Sequence, residues 1–150
     1  IDSDPVQIPH LYSQKEDIEI AGFLAATIAW GNRKMIINNS HKLMQIMGNS
    51  PYDFVMNHKE IHLEKLSNFV HRTFNSTDAV TFIKALQHIY KNNPDLENVF
   101  SKHIENNSTQ KSISEFKKTF FEIPHFSLRI YRIDNHDIGM IFFDFPLNVF

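Results

Sequence analysis

The 150-residue chain has no cysteine, which excludes disulfide bonds, thiolate metal sites and a cysteine nucleophile. A chain without thiols suits a reducing compartment, and a cytoplasmic location is the expectation. Glycine is nearly as scarce, with four residues, and segments that alternate apolar and polar residues are few, so helix should dominate. No apolar run approaches the ~20 residues that span a bilayer, so no membrane partner is expected. Ile1, Asp2, Ser3, Asp4 and Pro5 offer neither an initiator methionine nor the basic-then-apolar plan of a signal peptide. The natural N-terminus is therefore expected upstream. Charge of one sign is lacking too. A formal net charge of −2 argues against coating nucleic acid by bulk charge, yet leaves room for a local basic face. GxGxxG, P-loop and GxSxG motifs are all missing, so nucleotide cradles and hydrolase elbows have no support and no cofactor is expected.

What the chain does have is apolar bulk. Hydrophobic residues make up 42%, with 14 phenylalanines among them. A chain of this length buries roughly two thirds of its unfolded surface around a single core. The fold expected is mostly α, an orthogonal bundle of about five to six helices. Ser13 and Glu16 are spaced as a capping box at a first helix. Residues 14–31 then leave almost no polar face, so this helix should be central, with Trp30 covered and Gly31 as its stop. A second helix is expected from about Arg33 to Met47, with Met35, Ile36, Leu43, Ile46 and Met47 inward. Ser50-Pro51 opens a third, with proline at its first position.

Residues 59–75 suggest a helix on Ile61, Leu63, Leu66, Phe69 and Val70, then a turn after His71 and Arg72. Ser76 or Thr77 should cap a helix striped by Val80, Phe82, Ile83, Leu86, Ile89 and Tyr90. Helix over residues 94–104 and a capping box at Ser112 and Glu115 complete a helical domain at residues 1–125. Beyond Pro124 the pattern changes: Phe126, Leu128 and Ile130 alternate with polar residues, and Asp134 to Asp137 makes a polar turn. Residues 126–150 read as an atypical tail, either a poorly packed β-hairpin or a truncated or frame-altered end that exposes aromatic surface.

The stretch EIAGFLAATIAWGNRK at residues 19–34, GNSPYDFV after it, and HRTF at 71–74 resemble an uncharacterised bacterial family, a domain of unknown function. The resemblance runs over about residues 4–125. Full-length members of that family distantly resemble helix-hairpin-helix DNA glycosylases and endonuclease III-like repair proteins. The resemblance implies a DNA-associated function, with DNA as partner. In that superfamily the helix-hairpin-helix and a catalytic aspartate lie in the C-terminal half. This sequence has neither after Phe126, and Asn148 has no acid or base to offer. The resemblance thus implies an N-terminal, repair-like piece that is inactive by itself. A non-catalytic helical interaction domain is the competing reading.

By the same resemblance, Asn32, Arg33 and Lys34 sit where a loop approaches the DNA minor groove, and would contact phosphates and base edges. The structural alternative makes Trp30 a core anchor and Asn32-Arg33 the start of the next helix. His71 and Arg72 form a second DNA-contact candidate, a base near neutral pH beside a phosphate grip, or else a pair that ties down a loop. The nine histidines are scattered. Only His58 and His62 share the i, i+4 spacing, and the intervening residues do not make HExxH, so no metal is expected.

Overall fold

A computed structural model of the chain describes residues 4–102 and 109–122; the tail at 126–150 lies outside them. Among the described residues there are seven α-helices and no strand. They are α1 (Lys15–Thr27), α2 (Arg33–Ile46), α3 (Pro51–Asn57), α4 (Glu60–Leu63), α5 (Ser76–Asn92), α6 (Leu96–Ser101) and α7 (Thr109–Phe120). The expected bundle is borne out. α1 is its axis, packing against α2, α3 and α6, while α5 packs against α3 and α7. Two 3-10 turns at Pro5–Gln7 and Pro9–Leu11 lie against α1, and Ile8 between them is fully buried.

Ile20, Ala21, Phe23, Leu24 and Ala25 bury α1 on nearly all sides, as its missing polar face requires. Its ends differ from the expectation. Gln14, not Ser13, precedes the helix and makes no side-chain cap. At the other end α1 stops at Thr27, whose hydroxyl donates back to the Phe23 carbonyl. Trp30 therefore lies past the helix and is half-buried, and Gly31 at φ +113° belongs to the connecting turn. The reason is local: β-branched Thr27 and Ile28 end the run, and hydroxyl-to-backbone bonding competes with helix propagation.

Other starts and faces also shifted. Asn75 caps α5, accepting from the Thr77 and Asp78 amides, while Asp78 accepts from the Asn75 amide. This is a capping box one residue earlier than expected. Ser112 is buried inside α7, with its hydroxyl unpartnered among the described residues. The segment after residue 59 forms only the single turn α4 and a 3-10 turn, leaving Ile61 and Val70 exposed while Leu63, Leu66 and Phe69 are buried. Three inward side chains anchor that crossing, so the other apolar positions face out. Met35, expected inward, is exposed as well.

The least expected member of the core is a carboxylate. Glu19 is 1% exposed. One oxygen accepts from the Tyr90 hydroxyl at 2.7 Å and the Leu96 amide at 2.9 Å, and the other from the Glu97 amide at 3.3 Å. It thereby satisfies the opening amides of α6, which a helix start leaves without backbone partners. Lys15 closes the cluster from outside, reaching Asp95 at 2.9 Å and Glu97 at 2.6 Å. Burial pushes the Glu19 carboxyl up from its ordinary value, against its hydrogen bonds. Burial and the neighbouring carboxylate likewise push up the Tyr90 hydroxyl.

Candidate functional site

The turn after α1 and the turn before α5 come from segments forty residues apart and meet around one tryptophan. Residues 71–74 form a tight turn closed at both ends: the His71 amide donates to the Phe74 carbonyl at 2.8 Å, and the Phe74 amide returns to His71 at 3.0 Å. Arg72 occupies its first central position at φ +56°. That is the place where a primed hairpin turn ordinarily takes glycine, and a side chain there is strained by about 1–2 kcal/mol. The guanidinium carbon of Arg72 lies 4.8 Å from the centroid of the Trp30 ring, a cation–π distance.

His71 locks the two turns together. It is 1% exposed, and its ring packs edge-on to Trp30. Nδ1 faces the Asn39 side-chain amide nitrogen at 2.8 Å, and Nε2 faces the Trp30 carbonyl at 3.2 Å. The amide nitrogen only donates and the carbonyl only accepts, so the pairing assigns the proton to Nε2. Both ring nitrogens are thus engaged within the fold. Asn39 completes this tie and carries no sequence signal of its role: it is a polar residue mid-helix whose partner is set only by tertiary contact.

Asn32 caps α2, its side-chain oxygen accepting from the Met35 amide at 3.2 Å. Arg33 and Lys34 follow in the first turn of α2, exposed and with no acidic companion there. Cations at a helix N-terminus oppose the macrodipole, a disfavoured arrangement of several tenths of a kcal/mol. Arg72 thus lies against Trp30 and Gly31, next in the chain to the start of α2 that carries Arg33 and Lys34; all three cations are exposed, and Asn32 and His71 are engaged in holding the backbone. Arg33 and Gly31 also line a shallow cleft of about 360 Å³, floored by Gly22, Ala25 and Ala26.

The stretch of motif at residues 19–34 and the HRTF turn are thus one structural unit. The family model described as protein of unknown function (DUF2400) matches residues 4–140. The chain belongs to that family. The match takes in the helical domain and reaches past residue 125. No curated protein and no solved structure matches the chain.

His58 and His62, which sequence spacing put on one helical face, sit on different elements: His58 ends α3 and His62 is in α4. His58 bonds through Nδ1 to the Phe54 and Val55 carbonyls, and His62 Nδ1 accepts from the Lys59 amide. Among the described residues no three of His, Asp and Glu are grouped as a metal ion would need, and no helix is long and apolar enough to cross a membrane.

The closeness of Gly31 to Arg72 can be tested directly. A Cβ at Gly31 would lie 2.7 Å from Arg72 Nη1 and 3.2 Å from its Cδ, and φ is unfavourable for any other residue. Gly31→Ala is expected to cost about 1–2 kcal/mol and to push Arg72 off the indole. Trp30 is the only tryptophan, so its fluorescence reads the change without interference. Emission should shift to the red, and Arg72→Ala should reproduce the shift. Unchanged emission in both variants would mean that the two side chains do not stack in solution.

Proposed function

We propose that this domain associates with DNA through the cationic turn pair around Trp30. The observation that supports the reading is that Arg72, from a remote segment, packs on Trp30 and Gly31 immediately before the start of α2, where Arg33 and Lys34 are exposed. Neither the positive φ of Arg72 nor the two cations at the start of α2 helps the fold. Three clustered cations on a chain of slightly negative net charge suit phosphate contacts rather than bulk charge attraction. Trp30, half-buried and backed by His71, holds the exposed arginine in place. Phosphate contacts of this kind position a duplex without reading its sequence. The fit to a repair-like protein rests on the resemblance, and the described residues hold no catalytic constellation that would make this domain the chemical half.

The test is a duplex-DNA titration at several salt concentrations with the 150-residue chain. Log affinity should fall with log salt, and the slope should shrink by about 0.9 for each phosphate contact removed, so by up to about 2.7 in the Arg33→Ala/Lys34→Ala/Arg72→Ala variant. The loss should be alike on unrelated sequences. A variant that binds as tightly as the parent, with the same salt slope, sinks the reading and leaves the protein-interaction alternative.

A further inference from the structure

A second charged cleft shares no lining residue with the Trp30 turns. Lys84, His88 and Lys91 recur along α5 at the spacing that aligns side chains on one face. Opposite them stand His58 at the end of α3 and Lys59 before α4. With Gln87 and Glu60 they line an open cleft of about 520 Å³, within the range of small-molecule sites. Among the described residues, three lysines and two histidines face one lining carboxylate.

The cleft is held from both sides. Gln87 crosses it at depth, its amide nitrogen donating to the Met56 carbonyl at 3.1 Å. His58 is fixed by Nδ1, which donates to the Phe54 and Val55 carbonyls at the end of α3. Its ring also stacks on Phe54. Glu60 reaches Lys84 at 3.5 Å, and Glu122 reaches His88 Nε2 at 3.6 Å. Both contacts join exposed side chains and are exchangeable, since exposed pairs of this kind contribute little. Lys59 and Lys91 have no ion-pair partner among the described residues.

We propose that this cleft is a binding site for a small phosphate-bearing anion. The charge set argues for phosphate over a lone carboxylate. Among the described residues three lysines line the cleft against one carboxylate, and lysine is a compact point charge that takes tetrahedral phosphate oxygens from several directions. Two walls carry the ammonium groups, Lys84 and Lys91 on one side and Lys59 on the other, so an occupant with more than one phosphoryl group reaches both. The site is distinct from the DNA-contact turns, and its failure leaves that reading intact.

Inorganic pyrophosphate is the probe, titrated calorimetrically at low salt into the 150-residue chain. Lys59→Ala/Lys91→Ala should weaken binding by about tenfold or more, as expected when charge-assisted hydrogen bonds are removed. Arg33→Ala/Lys34→Ala should leave pyrophosphate binding unchanged. On addition of pyrophosphate, the ring-proton NMR signals of His58 and His88 should shift, while those of His10 and His41 stay in place. The lysines are exposed, so the variants should melt like the parent. The proposal is overturned if pyrophosphate does not bind, or if Lys34→Ala/Lys42→Ala, both on α2, which lends the cleft no lining residue, weakens it equally. It is also overturned if the Lys59→Ala/Lys91→Ala variant loses duplex DNA affinity and keeps pyrophosphate.

Discussion

Glu19→Ala is expected to lower the thermal midpoint by roughly 10–15 °C, the shift that about 3–5 kcal/mol produces in a domain of this size. Removing the carboxylate leaves the Tyr90 hydroxyl and the first amides of α6 buried without acceptors, and each orphaned group costs about 1–3 kcal/mol. Tyr90→Phe removes only one of those partners and should cost about 1 kcal/mol. Glu19→Gln keeps an acceptor for Tyr90 and Leu96 but turns an amide toward the Glu97 N–H, so an intermediate loss is expected.

The pH dependence of the same residue has a definite sign. Burial raises the carboxyl above its ordinary value of 4.5. The stability it contributes is then fully present below about that value and is lost as pH rises through the higher folded value. The margin of the parent over Glu19→Gln should therefore widen as pH falls from 7 towards 4.5. An ordinary ion-paired surface carboxylate would show the reverse. Chemical denaturation of both proteins across that range gives the answer, and a margin that narrows on acidification would show that the hydrogen bonds outweigh burial.

Phe23→Ala should destabilise by about 3–5 kcal/mol, the range for emptying a buried aromatic site. Phe23 is 1% exposed, and its ring centroid lies 5.9 Å from Phe82, 5.6 Å from Phe116 and 5.5 Å from Phe120. One side chain of α1 thus joins α5 and α7, and among the described residues no backbone hydrogen bond repeats that connection. Phe23→Leu retains most of the volume and should lose about 1.5 kcal/mol. Because α7 rests on the cluster through Phe116 and Phe120, its amides should lose hydrogen-exchange protection before those of α5. A loss below about 1 kcal/mol for the alanine variant would mean that the neighbours collapse into the space.

The legible parts of the fold are those where a local pattern has one solution. The apolar run of α1 admits only a buried helix, and the stripe from Val80 to Tyr90 admits only an amphipathic one, because both are set by 3.6-residue periodicity. Proline at position 51 marks a helix start because it has no amide to leave unpaired, and asparagine at 32 does so by accepting from the Met35 amide three residues on. The helix edges and the segment after residue 59 were less legible. There the outcome rested on which of several competing polar groups took a free amide, as Asn75 did ahead of Ser76.

By itself the sequence determined a helical domain, the central place of α1 and the two motifs that distinguish the chain, since each is written in neighbouring residues. Tertiary structure alone decided that those motifs touch. Arg72 meets Trp30 only because His71 ties its turn to a carbonyl forty-one residues away. The same is true of Glu19, an ordinary charged residue in the sequence that becomes an acceptor for the Leu96 amide at the start of α6, seventy-seven positions away. The lysine cleft is likewise assembled from α3, α4 and α5. Contacts of that range depend on where whole helices pack, and no spacing along the chain encodes them.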